Sequence, residues 1–307
     1  MSFAKQNPKI PEGINTSADN PLKEFFILLL GVFIILGTTV TLLLVFAHSL
    51  APYIPFRYEQ QLMSKYGQWT RSEPEHSAAF QDAEAAIQEL GQNLALQSRL
   101  PAGISTQFQL LDQPDLPNAF ATLGGQIFVT TGLLREVSSE NALAMVLAHE
   151  IAHIKYRHPA QSLSGGLLVQ LFLSIVTGGQ NASALQSTAQ QTGILTMLGF
   201  SRKMEVAADT AAMNTLENYY GHLAGTEEFF AKILGQYQQA RWQALFTSHP
   251  DLSQRIDYIQ ARAQSLTLVN GAKPETKALD PRLKNIQEML ANNGSQDQDS
   301  SEYQGIN

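Results

Sequence analysis

The sequence predicts an α+β fold that is mostly helical, contains a small β-sheet and is preceded by one transmembrane helix. Three observations support this prediction. Residues 25–47 are continuously apolar, short runs between positions 105 and 131 are rich in β-branched and aromatic residues, and much of the remaining chain has helical periodicity. With 307 residues, of which 44% are hydrophobic, the chain can bury a core in one large domain or two small ones.

The composition excludes some classes of function. The net charge is −7 and no dense run of lysine and arginine occurs, so the chain lacks the basic surface that nucleic-acid binding requires. It also contains no cysteine, which rules out disulfides and thiolate ligands. Any bound zinc ion must therefore be held by histidine and carboxylate side chains.

Residues 25–47 are predicted to form an uncleaved membrane anchor. Their 23 positions carry no charge and correspond to a helix of roughly 34 Å, enough to cross a hydrocarbon core of roughly 30 Å. The alternatives are a buried core helix and a cleaved signal peptide with Ala47 and Ser49 near the cleavage site. The run is longer than an ordinary signal-peptide core and 24 residues precede it, which favours the anchor.

The charges that flank the anchor favour one orientation. Lys5, Lys9 and Lys23 precede it, whereas Arg57 and Lys65 occupy the equivalent stretch after it. Because positive charge accumulates on the cytoplasmic side of membranes, this bias predicts an internal N-terminus. The main domain would then lie outside, on the periplasmic side of a bacterial inner membrane.

Changes in composition divide the chain into five parts. These are a disordered leader at 1–24, the anchor at 25–47, a proline-bearing connector at 48–74, a main domain at 75–267 and a polar C-terminal tail at 268–307. Within the main domain, residues 160–200 are punctuated by glycine and predict a lid-like insertion. Its apolar stretch at 167–176 is too short to span a membrane and fits either a buried core helix or a lid over a site.

Periodicity and capping signals predict the elements of the main domain. Helices are predicted at 75–99, 140–157, 202–219, 226–246 and 252–266, with a further one at 281–292. The helix at 140–157 has a candidate cap at Ser138 or Ser139 and ends before Pro159. Strands are predicted at 105–111, 118–123 and 126–131, with Gly124 and Gly125 as the turn of a hairpin.

The stretch VLAHEIAHIKYRHP at 146–159 contains the pattern His-Glu-x-x-His. His149 and His153 are four residues apart, so on a helix both imidazoles can reach one metal ion at about 2.0–2.1 Å. Glu150 lies about 100° around the helix, where it can accept a proton from an attacking water without ligating the metal. The alternative is a pair of hydrogen-bonded structural histidines.

A catalytic zinc site needs a third protein ligand, and the candidate is Glu205 in SRKMEVAADTAAM. Asp209 follows four residues later on the same helical face. This spacing suits one carboxylate that ligates the metal and a second that accepts a hydrogen bond from a ligating histidine. A solvated helix face is the alternative, but the neighbouring Val206, Ala207 and Ala208 are small or apolar, as on a buried helix.

Taken together, these motifs resemble those of the M-48 family of zinc metallopeptidases, which includes the HtpX heat-shock proteases and the CAAX prenyl proteases. The pattern His-Glu-x-x-His is followed by SR..E..AD and then by SHP....RI at 248–256. The segments NAF at 118–120 and GGQIFVTTGLL at 124–134 are also similar to segments that precede the motif in that family. The resemblance covers roughly residues 75–262.

The resemblance implies a zincin-like metallopeptidase domain that holds one zinc ion per chain. By this resemblance His149, His153 and Glu205 bind the metal. Glu150 is then the general base and acid, and Asp209 orients a histidine ligand.

The resemblance also implies a role for His249, as a donor to the oxyanion of the tetrahedral intermediate or as a fourth metal ligand that blocks the site. A surface histidine before Pro250 is the alternative. Arg255 and Arg202 fit either substrate contacts or structural ion pairs. His158 is predicted to be exposed at the end of its helix, where it would favour the helix dipole.

The predicted function is that of a membrane-anchored zinc endopeptidase that hydrolyses extended or misfolded protein segments, in envelope protein quality control. Members of the HtpX and prenyl-protease type span the membrane several times, whereas this chain has one predicted span and is similar to the singly anchored or soluble branch. Farnesylated substrates are therefore not expected.

An extended peptide substrate is predicted to pair with the sheet near Ile127–Thr130 and to contact Asn118, Ile127 and Val129. The alternative function is a zinc-binding, chaperone-like or latent member of the family with little cleavage activity, gated by His249 and the 160–200 segment.

Overall fold

The computed structural model describes residues 20–66, 77–163, 199–234, 240–249, 252–267 and 274–303. The leader up to residue 19 and most of the predicted lid, at 164–198, lie outside these ranges. Residues 67–76, which cover the end of the predicted connector and the first two residues of the predicted main domain, also lie outside them.

The first helix, α1 (Pro21–Leu50), contains the apolar run that predicted a membrane anchor. Its large side chains, such as Phe25, Leu30 and Ile35, are exposed. By length and composition the stretch Pro21–Leu42 can cross a membrane, and none of its hydrophobic window is buried by the described protein. The described residues therefore give the buried-core alternative no support.

The predicted connector contains a helix, α2 (Phe56–Tyr66), which follows a short 3-10 turn at Ala51–Tyr53. The next helix, α3 (Ala78–Gln97), begins at Ser77, whose hydroxyl accepts a hydrogen bond from the amide of Phe80. One face of α3 buries a regular apolar series against the core, namely Phe80, Ala83, Ile87, Leu90 and Leu94. This spacing matches the predicted periodicity.

The predicted three-stranded sheet is confirmed. It comprises β1 (Gln107–Leu111), β2 (Ala119–Ala121) and β3 (Gln126–Thr130), in the order β1-β3-β2. β3 pairs in parallel with β1 and antiparallel with β2. The hairpin turn contains Gly124 and Gly125, both with positive φ, and a Cβ at position 125 would lie 1.9 Å from the carbonyl oxygen of Ser105.

The predicted substrate contact with β3 is wrong in one respect. β3 is the central strand and is hydrogen-bonded on both sides, so its main chain has no free edge for a peptide. Ile127 and Val129 are fully buried in the core. Neither local pattern nor strand length indicated which of the three strands would be central.

A short helix α4 (Thr131–Glu136) leads from β3 to the long helix α5 (Glu140–Lys155). Of the two candidate caps, Ser139 is the one observed, and it accepts a hydrogen bond from the amide of Ala142. α5 ends two residues earlier than predicted, and Arg157 adopts a left-handed conformation with φ of 60°. A new helical segment, α6 (158–163), begins immediately after this kink.

Helix α7 (Arg202–Tyr220) packs closely against α5 through three alanines, Ala152, Ala208 and Ala211. It is capped by Ser201 and ends at Gly221, which has φ of 76°. Small side chains at the crossing let the two helices approach closely. This packing places the His-Glu-x-x-His motif beside Glu205.

The single helix predicted at 226–246 is not observed. Among the described residues this region forms α8 (Glu228–Leu234), a 3-10 turn at Ala240–Trp242 and α9 (Gln243–Ser248). Trp242 is fully buried and its ring packs edge-on against Phe229. The sequence pattern therefore remained helical in a region where the structure has a 3-10 turn. That turn contains the buried indole of Trp242. Helix α10 (Leu252–Thr267) follows as predicted.

The segment predicted as a polar C-terminal tail contributes to the core. Helix α11 (Pro281–Tyr303) extends past the predicted end at 292 and packs on α3. Its buried residues are Leu283, Ile286 and Leu290, which recur every three or four positions on one face. The polar composition of this segment reflects its opposite, exposed face.

Candidate metal centre

Four buried side chains from two helices and the end of a third converge at one point. His149 and His153 come from α5, Glu205 from α7, and His249 from the residue that follows α9. One ligand atom from each lies within 4.8 Å of all the others. Among the described residues this is the group whose donors are placed to hold a metal ion.

The donor atoms face one another. The Nε2 atoms of His149 and His153 are 2.9 Å apart, and each lies 3.4 Å from a carboxylate oxygen of Glu205. Two imidazole nitrogens and a carboxylate are the donor set of many catalytic zinc sites. The residues present therefore fit a zinc ion, and the sequence prediction had selected these same three.

Asp209 lies behind His149, as its spacing from Glu205 predicted. Its Oδ1 is 2.9 Å from Nδ1 of His149, which leaves Nε2 directed at the cluster. Arg255 donates to both oxygens of Asp209 at 2.7 and 2.8 Å, and its Nη1 lies 2.5 Å from Glu205. Of the two roles left open for Arg255, the structure therefore shows a buried ion pair. Arg202 is exposed at the start of α7.

The charges in the cluster shift the proton affinities of its members in opposite directions. Burial alone would lower the pKa of His149, but hydrogen bonds to Asp209 and Glu205 outweigh it and raise the pKa to about 9. Burial and the neighbouring His149 hold the pKa of His153 well below its usual value. Without a metal, a proton on His149 therefore compensates the surrounding carboxylates.

The two carboxylates beside His149, those of Glu205 and Asp209, are held in the ionised form. Burial would raise the pKa of Glu205, but His249 and His149 keep it far below its ordinary range. Burial would also raise the pKa of Asp209, and the hydrogen bonds from Arg255 and His149 lower it instead.

Glu150 is buried beside the cluster and points at the sheet. Its Oε2 accepts a hydrogen bond from the main-chain amide of Ala121 in β2 at 2.8 Å. Burial raises its pKa, and the nearby His249 and His149 oppose that rise only in part. A carboxylate with a raised pKa is suited to accept and return a proton near neutral pH.

His249 is 3% exposed, so its alternative as a surface histidine is wrong. Its Nδ1 lies 3.2 Å from both oxygens of Glu205 and 3.3 Å from Nε2 of His149. The other nitrogen, Nε2, is 3.5 Å from Glu150 and has no hydrogen-bond partner among the described residues. His249 therefore occupies the position of a fourth donor.

His158 is buried, contrary to the prediction that it would be exposed. Its Nδ1 lies 2.9 Å from Nδ1 of His153, behind the nitrogen that faces the cluster. The prediction assumed one continuous helix, whereas the kink at Arg157 turns the following residue inward. The position of His158 five residues after His153 was the available signal, and it was interpreted as a favourable contact with the helix dipole.

Phe200 is a second contact that the sequence did not reveal. Its ring stacks on the imidazole of His153, with centroids 3.8 Å apart and planes at 19°. Nearby, the hydroxyl of Ser162 donates to the carbonyl of Gly199. An isolated aromatic residue between a glycine and a serine gives no sequence signal for such a role.

Asn118 directly precedes β2 and is buried. Its amide donates to the hydroxyl of Thr130, and its carbonyl accepts from the Thr130 amide. Its side-chain oxygen is buried without a hydrogen-bond partner among the described residues.

A helix that presents His-Glu-x-x-His to a carboxylate from a second helix defines the metallopeptidase class of site. Comparison with known proteins agrees with this class. The model of peptidase family M48 matches residues 81–263, which is more than half of the chain. The protein therefore belongs to peptidase family M48.

Several curated proteins are similar to the same region. The chain is 29% identical over 158 residues to a putative β-barrel assembly-enhancing protease of Vibrio cholerae, covering 48% of this chain and 32% of that protein. It is 30% identical over 146 residues to the mitochondrial metalloendopeptidase OMA1 of Schizosaccharomyces pombe, covering 47% and 43%. The OMA1 protein of Saccharomyces cerevisiae is 37% identical over 111 residues, covering 35% and 31%. The chain thus spans less than half the length of these relatives.

Proposed function

We propose that the protein is a membrane-anchored zinc endopeptidase that hydrolyses peptide bonds in extended or misfolded segments of envelope proteins. The observation that supports this most strongly is the buried convergence of His149, His153 and Glu205, with Glu150 beside them. A binding protein has no need of a buried carboxylate with a raised pKa at that position. The relatives named as proteases and metalloendopeptidases support the same reaction class.

The residues divide the chemistry between them. His149, His153 and Glu205 would hold the metal, and zinc at this position would supply the Lewis acidity that polarises a scissile carbonyl and lowers the pKa of water. Glu150 takes the proton from the attacking water and returns it to the leaving amine. Asp209 fixes the ring of His149, and Arg255 fixes Asp209.

The outer edge of β2, which pairs with no other strand among the described residues, is the proposed binding site for the peptide. The outer amides of β1, at Phe108 and Leu110, donate to side chains of α3, so the β1 edge is covered. In β2 the outer amide of Ala121 donates to Glu150, and Ala119 and Ala121 are buried, so a peptide pairs here by displacing the contacts that cover this edge. An extended peptide that pairs with β2 therefore passes beside the proposed general base. Asn118 remains a proposed contact at the start of this edge.

A latent form of the same enzyme is a second candidate, and the position of His249 favours it. A catalytic zinc site keeps one coordination position open, whereas Nδ1 of His249 lies among the other donors. In this form the enzyme acts only after His249 leaves the cluster. In the active form, the freed imidazole can donate to the oxyanion.

Hydrolysis of casein by the purified full-length protein in detergent tests the proposed function. The zinc-loaded protein should cleave casein, a chelator should abolish the cleavage, and added zinc should restore it. The His249→Ala variant serves as a form that cannot be latent through this residue. If zinc binds stoichiometrically but neither protein cleaves any unfolded substrate, the endopeptidase proposal is wrong and the binding alternative stands.

The anchor and its orientation belong to the same proposal. α1 is long and apolar enough to span a membrane, and the lysines before it favour an internal N-terminus. The peptidase domain would then act on the outer, periplasmic side.

A further inference from the structure

The segment that follows the apolar helix docks beside the candidate metal centre. α1 ends at Leu50, and residues 51–66, here called the juxtamembrane segment, comprise the 3-10 turn and α2. α2 lies directly on the β2–β3 turn, since a Cβ on Gly124 would be 3.1 Å from Cα of Gln60. The chain thus passes from the proposed membrane anchor to the sheet within a few residues.

Arg157, at the kink between α5 and α6, uses its guanidinium to hold this segment. It donates from Nη2 to the carbonyl of Ile54 at 2.7 Å and from Nε to Oε1 of Glu59 at 3.1 Å. Nη1 reaches the carbonyl of Pro52 at 3.4 Å, and the group lies 5.4 Å from the ring centre of Phe56. Both members of the Arg157–Glu59 pair are buried, so solvent screens their attraction little.

Glu59 joins the same contact to the edge strand. While Oε1 binds Arg157, Oε2 accepts the amide hydrogen of Gly124 at 3.1 Å. Gly124 has φ of 69° in the turn that closes β2. Three residues before it in that strand, the amide of Ala121 binds Glu150. The carboxylate of Glu59 therefore connects the juxtamembrane segment with β2, the strand whose Ala121 amide donates to the proposed general base.

Arg157 also determines where the next residue points. A non-glycine residue with φ of 60° is strained and persists only when its surroundings fix it. The turn it forms directs His158 onto Nδ1 of His153 at 2.9 Å. Partners behind a ligating histidine set the orientation of its ring.

We propose that Arg157 and Glu59 are positioning residues that fasten the juxtamembrane segment to the end of α5, which carries Glu150 and His153, and to the β2–β3 turn. The docking of the segment next to the membrane then sets the geometry of the active site. This inference rests on the proposed peptidase function and adds to it a reason for the anchor to lie so close to the site.

Two substitutions separate this role from simple stabilisation. Arg157→Gly removes the guanidinium, yet glycine adopts a positive φ without strain, so the turn itself is retained. Glu59→Gln keeps the shape of the side chain and removes its charge. Glu89→Gln is the matched control, because Glu89 pairs with Arg282 at 2.8 Å on the exposed surface far along the chain from the motif.

The measurements use the full-length protein in detergent, with casein as substrate. For both variants kcat should fall roughly tenfold with little change in KM, and zinc affinity should weaken roughly tenfold. In the metal-free protein, amide exchange at Gly124 should be faster in Glu59→Gln. The melting temperature, measured alongside, ensures that rates refer to folded protein. Glu89→Gln should match the unmodified protein in every measurement.

The proposal is overturned if Arg157→Gly and Glu59→Gln both keep kcat and zinc affinity within twofold of the unmodified protein. It is also overturned if their losses disappear when rates are expressed per folded molecule. If the unmodified protein cleaves no casein, the proposed peptidase function fails. Zinc affinity and exchange at Gly124 then still decide the positioning role.

Discussion

The carboxylate of Asp209 accepts a hydrogen bond from Nδ1 of His149 at 2.9 Å while Arg255 binds both of its oxygens. This contact fixes which nitrogen of His149 is free to face Glu205. It also joins α5, α7 and α10 at the base of the site.

Loss of the charge on Asp209 should therefore weaken metal binding without unfolding the protein. Asp209→Asn keeps a side-chain oxygen that can accept from His149, but the neutral amide no longer stabilises the positive polarisation of the His149 imidazole. Zinc affinity, measured by competition with a chelator, should fall by roughly 10–100-fold. Asp82→Asn, on the exposed face of α3, is the control. Unchanged affinity in Asp209→Asn would show that the contact does not orient the ligand.

Zinc affinity should increase with pH between about 7 and about 9. In the metal-free protein the pKa of His149 is raised to about 9 by its carboxylate partners, so below that pH zinc must displace a proton. The affinity should gain up to about tenfold per pH unit, and the gain should stop above the pKa. After correction for the chelator, an affinity that is independent of pH in this range would contradict the protonation state inferred for His149.

Removal of the imidazole at position 249 should raise the rate of casein hydrolysis. If His249 leaves the fourth donor position in roughly one molecule in ten, His249→Ala should be roughly tenfold faster. His222→Ala removes a histidine outside the cluster and should have no effect. A fall in kcat for His249→Ala would instead show that the contact of the freed imidazole with the oxyanion outweighs its blocking of the fourth donor position.

The C-terminal helix should be essential for stability. Ile286 is fully buried beneath α3 and α4, and Ile286→Ala should lower the free energy of unfolding by about 2–5 kcal/mol. Lys284→Ala, on the exposed face of the same helix, should change it by less than about 0.5 kcal/mol. Thermal or denaturant unfolding provides the comparison. Equal stability of the two variants would mean that the helix is a tail, as first predicted.

The absence of cysteine from the sequence makes orientation simple to measure. A single cysteine at Asp82 should react with a membrane-impermeant maleimide in intact spheroplasts, whereas one at Ser2 should react only after lysis. The opposite pattern would place the peptidase domain in the cytoplasm.

The zinc-ligand candidates were predictable because they depend on local spacing. His149 and His153 are one helical turn apart on α5, and Glu205 precedes Asp209 by the same interval on α7. The helix face on which each pair lies can therefore be read from the sequence. The packing of α5 on α7 through alanine follows from the small residues around these motifs.

Other parts of the site depend on contacts that local patterns do not encode. The position of His158 follows from a left-handed turn at Arg157, and helical extrapolation failed there. The place of β3 at the centre of the sheet is set by pairing with a strand that is distant in sequence. His249 is buried at the end of α9, which follows the 3-10 turn at Ala240–Trp242, in a region whose pattern predicted one continuous helix. Leu283, Ile286 and Leu290, in contrast, showed a helical spacing whose role in the core was overlooked.

The central claim is that Glu150 is the general base of a zinc peptidase. It is tested most directly by the initial rates of casein hydrolysis for Glu150→Gln and the unmodified protein, compared at equal zinc occupancy. Glu89→Gln serves as the control. Glu150→Gln should bind zinc normally and lose activity by at least about a hundredfold. Equal rates at equal zinc occupancy would contradict the claim.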